Sequence, residues 1–388
     1  MRHGHSARRA GSALIAVIAM ALLPLATGAP ALAHQAATTA KVTTAAAPGD
    51  VVSAQRIYAP GFEYARVWHI RYLSTDTHGA SMTVSGTVIV PYGSYDGPRP
   101  VIGYAPGTHG MGDQCAPSAR LKEGNDQEGG LIHQYGWQGY AVAVTDYQGL
   151  GTPGDHAYMV ARSAGHALLD IVRAAQRLTG LPGNGPVGLA GYSQGGHAAA
   201  WAAQLAPTYA GELAVKGAAA GGTPANLRQV AAYNEGRENF GLVLAAGIGM
   251  DSAYPELDLE SYLNDAGRAG IDELRNGCDF SPYANKRLSD YTTSNPLDTP
   301  AWQTRLDQQN PGGSPPRAPV LLYHSTDDEI IPYGGATALR QTWCGQRANV
   351  TFRTYYFLKH AEAAAWASPS VTSWMGDRLA GKPTSGNC

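Results

Sequence analysis

Four short apolar runs place the tightest constraint on what this chain can fold into: VIGYAP (101–106), YAVAVTDY (140–147), PVGLAG (186–191) and PVLLYHS (319–325). Each is long enough for a strand, too short for a helix and apolar along nearly its whole length, the pattern of strands covered on both faces. Helical patterns stand between them. In ARSAGHALLDIVRAAQRL (161–178) Leu168, Ile171, Val172 and Ala175 recur at helical spacing, and GGHAAAWAAQLA (195–206) is a second such segment. Strands alternating with helices predict an α/β fold, with a mostly parallel central sheet and helices on both faces. Upstream, WHIRYLS and MTVSGTVIV alternate in polarity around the turn Thr77-His78-Gly79 and read as antiparallel strands. The rhythm breaks over 218–315, a stretch richer in Asn, Asp, Tyr and Pro, which predicts a few short helices, no clear buried strand and hence an inserted helical cap. Within it FGLVLAAGIGM (240–250) is apolar enough either to line a binding site or to form the cap's own core.

The N-terminus is a different kind of segment. Arg2, Arg8 and Arg9 precede the apolar run ALIAVIAMALLPLA, and small residues ending in Ala31-Leu32-Ala33 follow, so residues 1–33 read as a signal peptide cleaved after Ala33. Arg8-Arg9 lacks the large apolar residue that usually follows a twin-arginine export signal, which favours the general export route. The alternative is an uncleaved membrane anchor. Residues 34–50 look like a flexible leader, and the domain is expected over 51–388. Removing the signal leaves 25 basic against 30 acidic residues, a mildly acidic secreted protein with no field suited to nucleic acid. Four cysteines remain, Cys115, Cys278, Cys344 and Cys388, an even number at spacings that fit neither a redox pair nor a zinc knuckle. Three pairings are open. Cys115 with Cys278 and Cys344 with Cys388 is favoured, since the latter bond fastens the chain's end.

Chemistry enters at Gly191-Tyr192-Ser193-Gln194-Gly195, which follows one of the apolar runs and opens a helix-forming one. G-x-S-x-G in that setting puts a serine on a sharp turn with its hydroxyl exposed. A serine hydroxyl is a weak nucleophile; it needs a base, and the base needs an acid that fixes its tautomer. Both are found downstream at predicted strand ends. PVLLYHS runs into Thr326-Asp327-Asp328-Glu329, and TFRTYYFL runs into Lys359-His360. Asp328 is preferred to Asp327 as the acid. Apart from His197, only His324 and His360 follow Ser193, and His360, on a loop, is the better base. His324 reads as a strand-end histidine and His197 as a helix bystander one turn beyond the serine. The oxyanion needs N–H donors, for which the backbone of Gln194 and the loop YAPGTHGMGDQC (104–115), with Thr108, are the candidates. His109 is then a pocket residue or a surface polar group.

From about Trp68 to Cys388 the chain resembles the secretory lipase family of α/β-hydrolases, the lipase A-like exported lipases and esterases. The resemblance is carried by GTHGMGDQCAPS, DYQGLGTPGDHAYM, GYSQGG, HSTDDEIIP and WMGDRLAGKPTSGNC. It implies Ser193 as nucleophile, Asp328 as orienting acid, His360 as base, Gln194 and Thr108 as oxyanion donors, and a cap over the acyl pocket. The expected activity is hydrolysis of carboxylic esters through an acyl-enzyme, with no cofactor and no metal. Its expected partners are a small-molecule or lipid ester as substrate and, transiently, a lipid interface, with a monomer as the working unit. The same triad also permits a peptidase, an amidase or an acyltransferase, and a non-catalytic binding protein is the remaining alternative.

Overall fold

The computed structural model of the chain describes residues 46–178 and 181–388. The signal peptide expected over 1–33, and the first part of the expected leader, lie outside these residues. Residues 46–50, assigned to that leader from sequence, are instead tied to the domain. The Gly49 N–H donates to the Leu73 carbonyl at 2.7 Å, and Arg177 pairs with Asp50 at 2.7 Å.

Among the described residues the strands form one nine-stranded sheet, in the order β1-β2-β3-β5-β4-β6-β7-β8-β9. The strands are β1 (Val51–Ile57), β2 (Ala65–Thr75), β3 (Ser81–Pro91), β4 (Val101–Ala105), β5 (Ala141–Thr145), β6 (Val187–Tyr192), β7 (Val215–Gly221), β8 (Val320–Ser325) and β9 (Val350–Tyr355). β1, β2 and β3 pair antiparallel with one another, β3 pairs antiparallel with β5, and every pair from β5 to β9 is parallel. Successive strand residues point to opposite faces, so each core strand serves two cores. Val187 and Leu189 of β6 pack under the helices Ala161–Arg177, Gln194–Tyr209 and Tyr333–Gly345, whereas Ala190 and Tyr192 face the helices Gly129–Trp137 and His360–Leu379. Both faces are buried, which is why these strands lack the polar alternation of β1 and β2.

Residues 218–221, placed in the helical insertion from sequence, belong to β7 instead. The strand reads VKGAAAG, and alanine and glycine carry little of the β-branched signal that betrays a buried strand, although five of its seven positions are buried. The helical insertion itself, from Leu227 to Gln308, leaves the sheet after β7 and returns to β8. It has its own apolar core, in which Phe240, Ile248, Ile271, Trp302 and Leu306 meet Met111 and the Ala157–Val160 segment. Cys115 is bonded to Cys278, joining the loop after β4 to this insertion, and Cys344 is bonded to Cys388.

Candidate active site

Because β4, β5, β6, β8 and β9 run parallel, the loops leaving their C-terminal ends gather along one edge of the sheet, where open α/β sheets meet their ligands. Ser193 stands between β6 and the helix Gln194–Tyr209 at φ 59°, ψ −122°, a backbone conformation that costs a non-glycine residue about 1–3 kcal/mol. Its neighbours allow nothing larger than glycine. A Cβ on Gly195 would lie 1.8 Å from the Ala105 carbonyl oxygen, and one on Gly191 would lie 2.3 Å from that of Gly195. The helix therefore crosses β4 and β6 at backbone distance, and the turn has no looser alternative.

Two loops along, His360 opens the helix His360–Leu379 with its Nδ1 2.7 Å from Asp328 Oδ2. The Tyr192 hydroxyl donates to the His360 carbonyl at 2.8 Å, and the two rings lie 4.9 Å apart, so the residue before Ser193 braces the histidine. Asp328 is buried, and its other oxygen accepts the N–H groups of Ile330 and Ile331 at 3.0 and 2.8 Å. Burial works to raise its pKa, but hydrogen bonds from His324 and His360 outweigh it and hold the carboxyl well below the usual range. Asp327 is exposed and spends its carboxylate on Thr326 and on the N–H of Phe357.

His324 is more than a strand-end histidine. Its Nε2 lies 3.2 Å from Asp328 Oδ2 and 3.0 Å from the Ile331 carbonyl, and since both partners are acceptors this nitrogen carries the proton. Asp328 is thus contacted by two histidines, four and thirty-two residues away, a convergence no local spacing announces. His197 is buried, with Nε2 2.8 Å from the Gln309 carbonyl, and burial pushes its pKa down to about 4. His109 is neither a pocket wall nor a surface group. It is enclosed in the loop after β4, between the Gly107 carbonyl at 2.9 Å and Asp126 at 3.0 Å. Burial opposes its charge, yet the Asp126 carboxylate wins and its pKa rises to about 8.

The same loop is held from below by Glu128, which accepts the Gly107 N–H at 2.9 Å and the Tyr104 hydroxyl at 2.8 Å. Thr108 follows, its hydroxyl 2.8 Å from that of Tyr158. Gln194 opens its helix, where the first N–H groups have no intrahelical partner, and its side-chain nitrogen lies 3.0 Å from His156 Nε2. Neither His156 nor Tyr158 had a role in the sequence reading, although both lie in the DYQGLGTPGDHAYM segment; their partners are distant in the chain and leave no periodic signal.

Ser193 and Gln194 form part of the wall of a pocket that is otherwise almost wholly apolar and roofed by the insertion. Leu242, Val243, Ala246 and Gly247 line it from one face of the helix Gly241–Ala253, while Phe240, Ala245, Ile248 and Met250 turn into the insertion's core. The apolar 240–250 segment thus serves both purposes between which its sequence left the choice open. Tyr158, Leu263, Ile271, Trp302 and Ile331 complete much of the wall.

Nine strands in this order, the third antiparallel to both its neighbours, and a serine elbow at the crest of β6 define an α/β-hydrolase. Within that class the chain belongs to the secretory lipase family, whose model matches residues 126–387. Among its relatives is a secreted triacylglycerol lipase of Malassezia globosa, 29% identical over 371 residues, covering 88% of this chain and 78% of the relative. Another, from Mycobacterium tuberculosis, is named a probable inactive lipase and is 29% identical over 339 residues, 80% of this chain and 73% of that protein. The crystal structure of Candida antarctica lipase A in its closed state superposes with a TM-score of 0.80 at 25% identity, covering 87% of this chain and 84% of the other.

Proposed function

We propose that the protein is a secreted serine hydrolase of carboxylic esters with an apolar acyl group, acting through an acyl-enzyme. The observation that carries this reading is the Asp328–His360 pair at 2.7 Å, braced by Tyr192 against the strained Ser193 elbow. With Nδ1 engaged by Asp328, Nε2 of His360 is the nitrogen free to take the Ser193 proton as Oγ attacks the ester carbonyl. The backbone N–H groups of Gln194 and Thr108 receive the charge that develops on the carbonyl oxygen. His360 then passes the proton to the departing alcohol, and a water activated in the same way releases the acid. The apolar pocket beside Ser193 favours a hydrocarbon acyl chain over a peptide, whose amides would lose their hydrogen bonds there. Secretion is supported by the export signal read over residues 1–33.

One of the relatives is named inactive, so turnover is the first thing to measure. The test is a panel of nitrophenyl and glycerol esters graded from acetyl to long-chain acyl, run on the mature protein and on Ser193→Ala. The substitution is expected to lower kcat by about 10⁴-fold or more. Near-normal activity in that variant, or a wild type that prefers amides to esters, overturns the reading.

A further inference from the structure

We propose that His156 and Tyr158, on the loop after β5, are positioning residues that hold the two oxyanion donors of the site, Gln194 and Thr108. The inference rests on the ester-hydrolase reading above and asks what fixes its oxyanion hole.

The loop is built as a rigid piece. Tyr147 near its start and Met159 near its end both sit in the left-handed region, at φ 68° and 63°, which bulky residues adopt only when their surroundings enforce it. Between them Gly149, at φ 70°, lies so close to the loop's return that a Cβ would come 2.0 Å from the Asp155 carbonyl oxygen. The insertion presses on the loop from outside. A Cβ on Gly249 would lie 2.2 Å from the Tyr158 carbonyl oxygen, and Arg275 pairs with Asp155 at 3.1 Å.

From this frame three side chains reach the catalytic loops. The Tyr147 hydroxyl donates to the Pro106 carbonyl at 2.5 Å, that of Tyr158 meets Thr108 Oγ1 at 2.8 Å, and His156 Nε2 meets the Gln194 carboxamide nitrogen at 3.0 Å. The protonation of His156 follows from its partners. Nδ1 lies 2.9 Å from the Gln148 carbonyl and must carry the proton, so Nε2 presents a lone pair and accepts from Gln194. Burial, with a pKa near 4, keeps the ring neutral at the pH where an ester hydrolase of this kind works.

The anchor does two things for the chemistry. It fixes the first residue of the helix, whose N–H faces the oxyanion, and it keeps the Gln194 carboxamide out of the space where that charge forms. An unanchored carboxamide beside Ser193 would compete for the same space. Tyr158 does the equivalent for Thr108, whose carbonyl accepts from the Gln127 carboxamide while Glu128 holds the neighbouring Gly107 from below. One loop thereby sets the spacing between donors that come from two different strands.

The experiment uses the mature protein with Tyr158→Phe and His156→Phe, each of which keeps a ring and deletes the atom that bonds to the donor residue. Active sites are titrated with a fluorophosphonate, so that a misfolded fraction does not count, and kcat and KM are measured on a short-chain nitrophenyl ester. Each variant is expected to lose about 10- to 100-fold in kcat per titrated site, with KM within about twofold and affinity for a trifluoromethyl ketone, which forms the tetrahedral oxyanion on Ser193, weakened by the same factor. A double-mutant cycle of Tyr158→Phe with Thr108→Val is expected to be non-additive. Should His156→Phe fail to fold, that cycle alone decides. Unchanged kcat per titrated site and unchanged analogue affinity overturn the inference, whatever happens to Tm. An active wild type with unaffected variants removes this inference alone, whereas a wild type inactive on every ester removes the hydrolase reading itself.

Discussion

His360 and His156 reach the Ser193 elbow from the β9 and β5 loops, and they are held there by different chemistry. His360 leans on a carboxylate, Asp328, which is kept ionised by His324 and two backbone N–H groups. His156 leans on a carbonyl, that of Gln148, and burial keeps it neutral. The first arrangement suits a group that must accept a proton and stabilise the resulting cation. The second suits one that must never change charge. Residue type alone does not distinguish a base from a strut; the partner of the second ring nitrogen does.

The largest way to break this contrast is to make the acid side resemble the other. Asp328→Asn leaves the shape intact but removes the charge and the preference for the correct tautomer, and kcat is expected to fall by about 10⁴-fold with the fold retained by circular dichroism. A smaller effect separates His324 from His360. His324→Leu removes one donor from Asp328 and is expected to lower kcat about 10-fold, the equivalent of the roughly 1.5 kcal/mol of a hydrogen bond to a charged group, with much of the loss recovered in His324→Gln. An unchanged rate in the leucine variant would leave His324 a packing residue.

The smallest effects are on stability and run in opposite directions with pH. The folded pKa values of His156 and His197, both near 4, lie below their ordinary 6.5, so the unfolded chain binds more protons between those values. Their contribution is complete above about pH 6.5 and is lost as pH falls toward 4. His109 is the reverse: raised to about 8, it contributes fully below about pH 6.5 and loses that contribution as pH rises through 8. Apparent Tm is therefore expected to peak near pH 6.5. His109→Gln should flatten the alkaline limb and His197→Gln the acid one, and a limb that persists in its variant assigns that titration elsewhere.

The strands buried on both faces, the antiparallel start and the serine elbow were legible because each follows from local composition: short apolar runs, alternation, and a glycine-flanked serine between strand and helix. β7 was missed for the same reason, since an alanine-glycine strand has no such composition. At the site, strand-end position pointed to Asp328 and His360, and the structure brings them together. The hydrogen bonds of His324, His156 and Tyr158 are tertiary. They join β8 to the loop after it, and the β5 loop to the β4 loop and the elbow helix, and nothing in the spacing of those residues encodes the meeting.

The Cys115–Cys278 bond joins the loop that carries Thr108 to the insertion that roofs the pocket, across 163 residues of sequence, and Gly110 has no room for a side chain against it. This has a practical consequence for anyone who makes the protein. In a host compartment that keeps thiols reduced, Ser193, Asp328 and His360 would all be present while the roof lost its covalent tether to the wall it covers. Such a preparation is expected to hold its full count of titratable serines and yet to sort substrates poorly by chain length. The choice of expression host therefore affects which substrates the purified protein will be said to prefer.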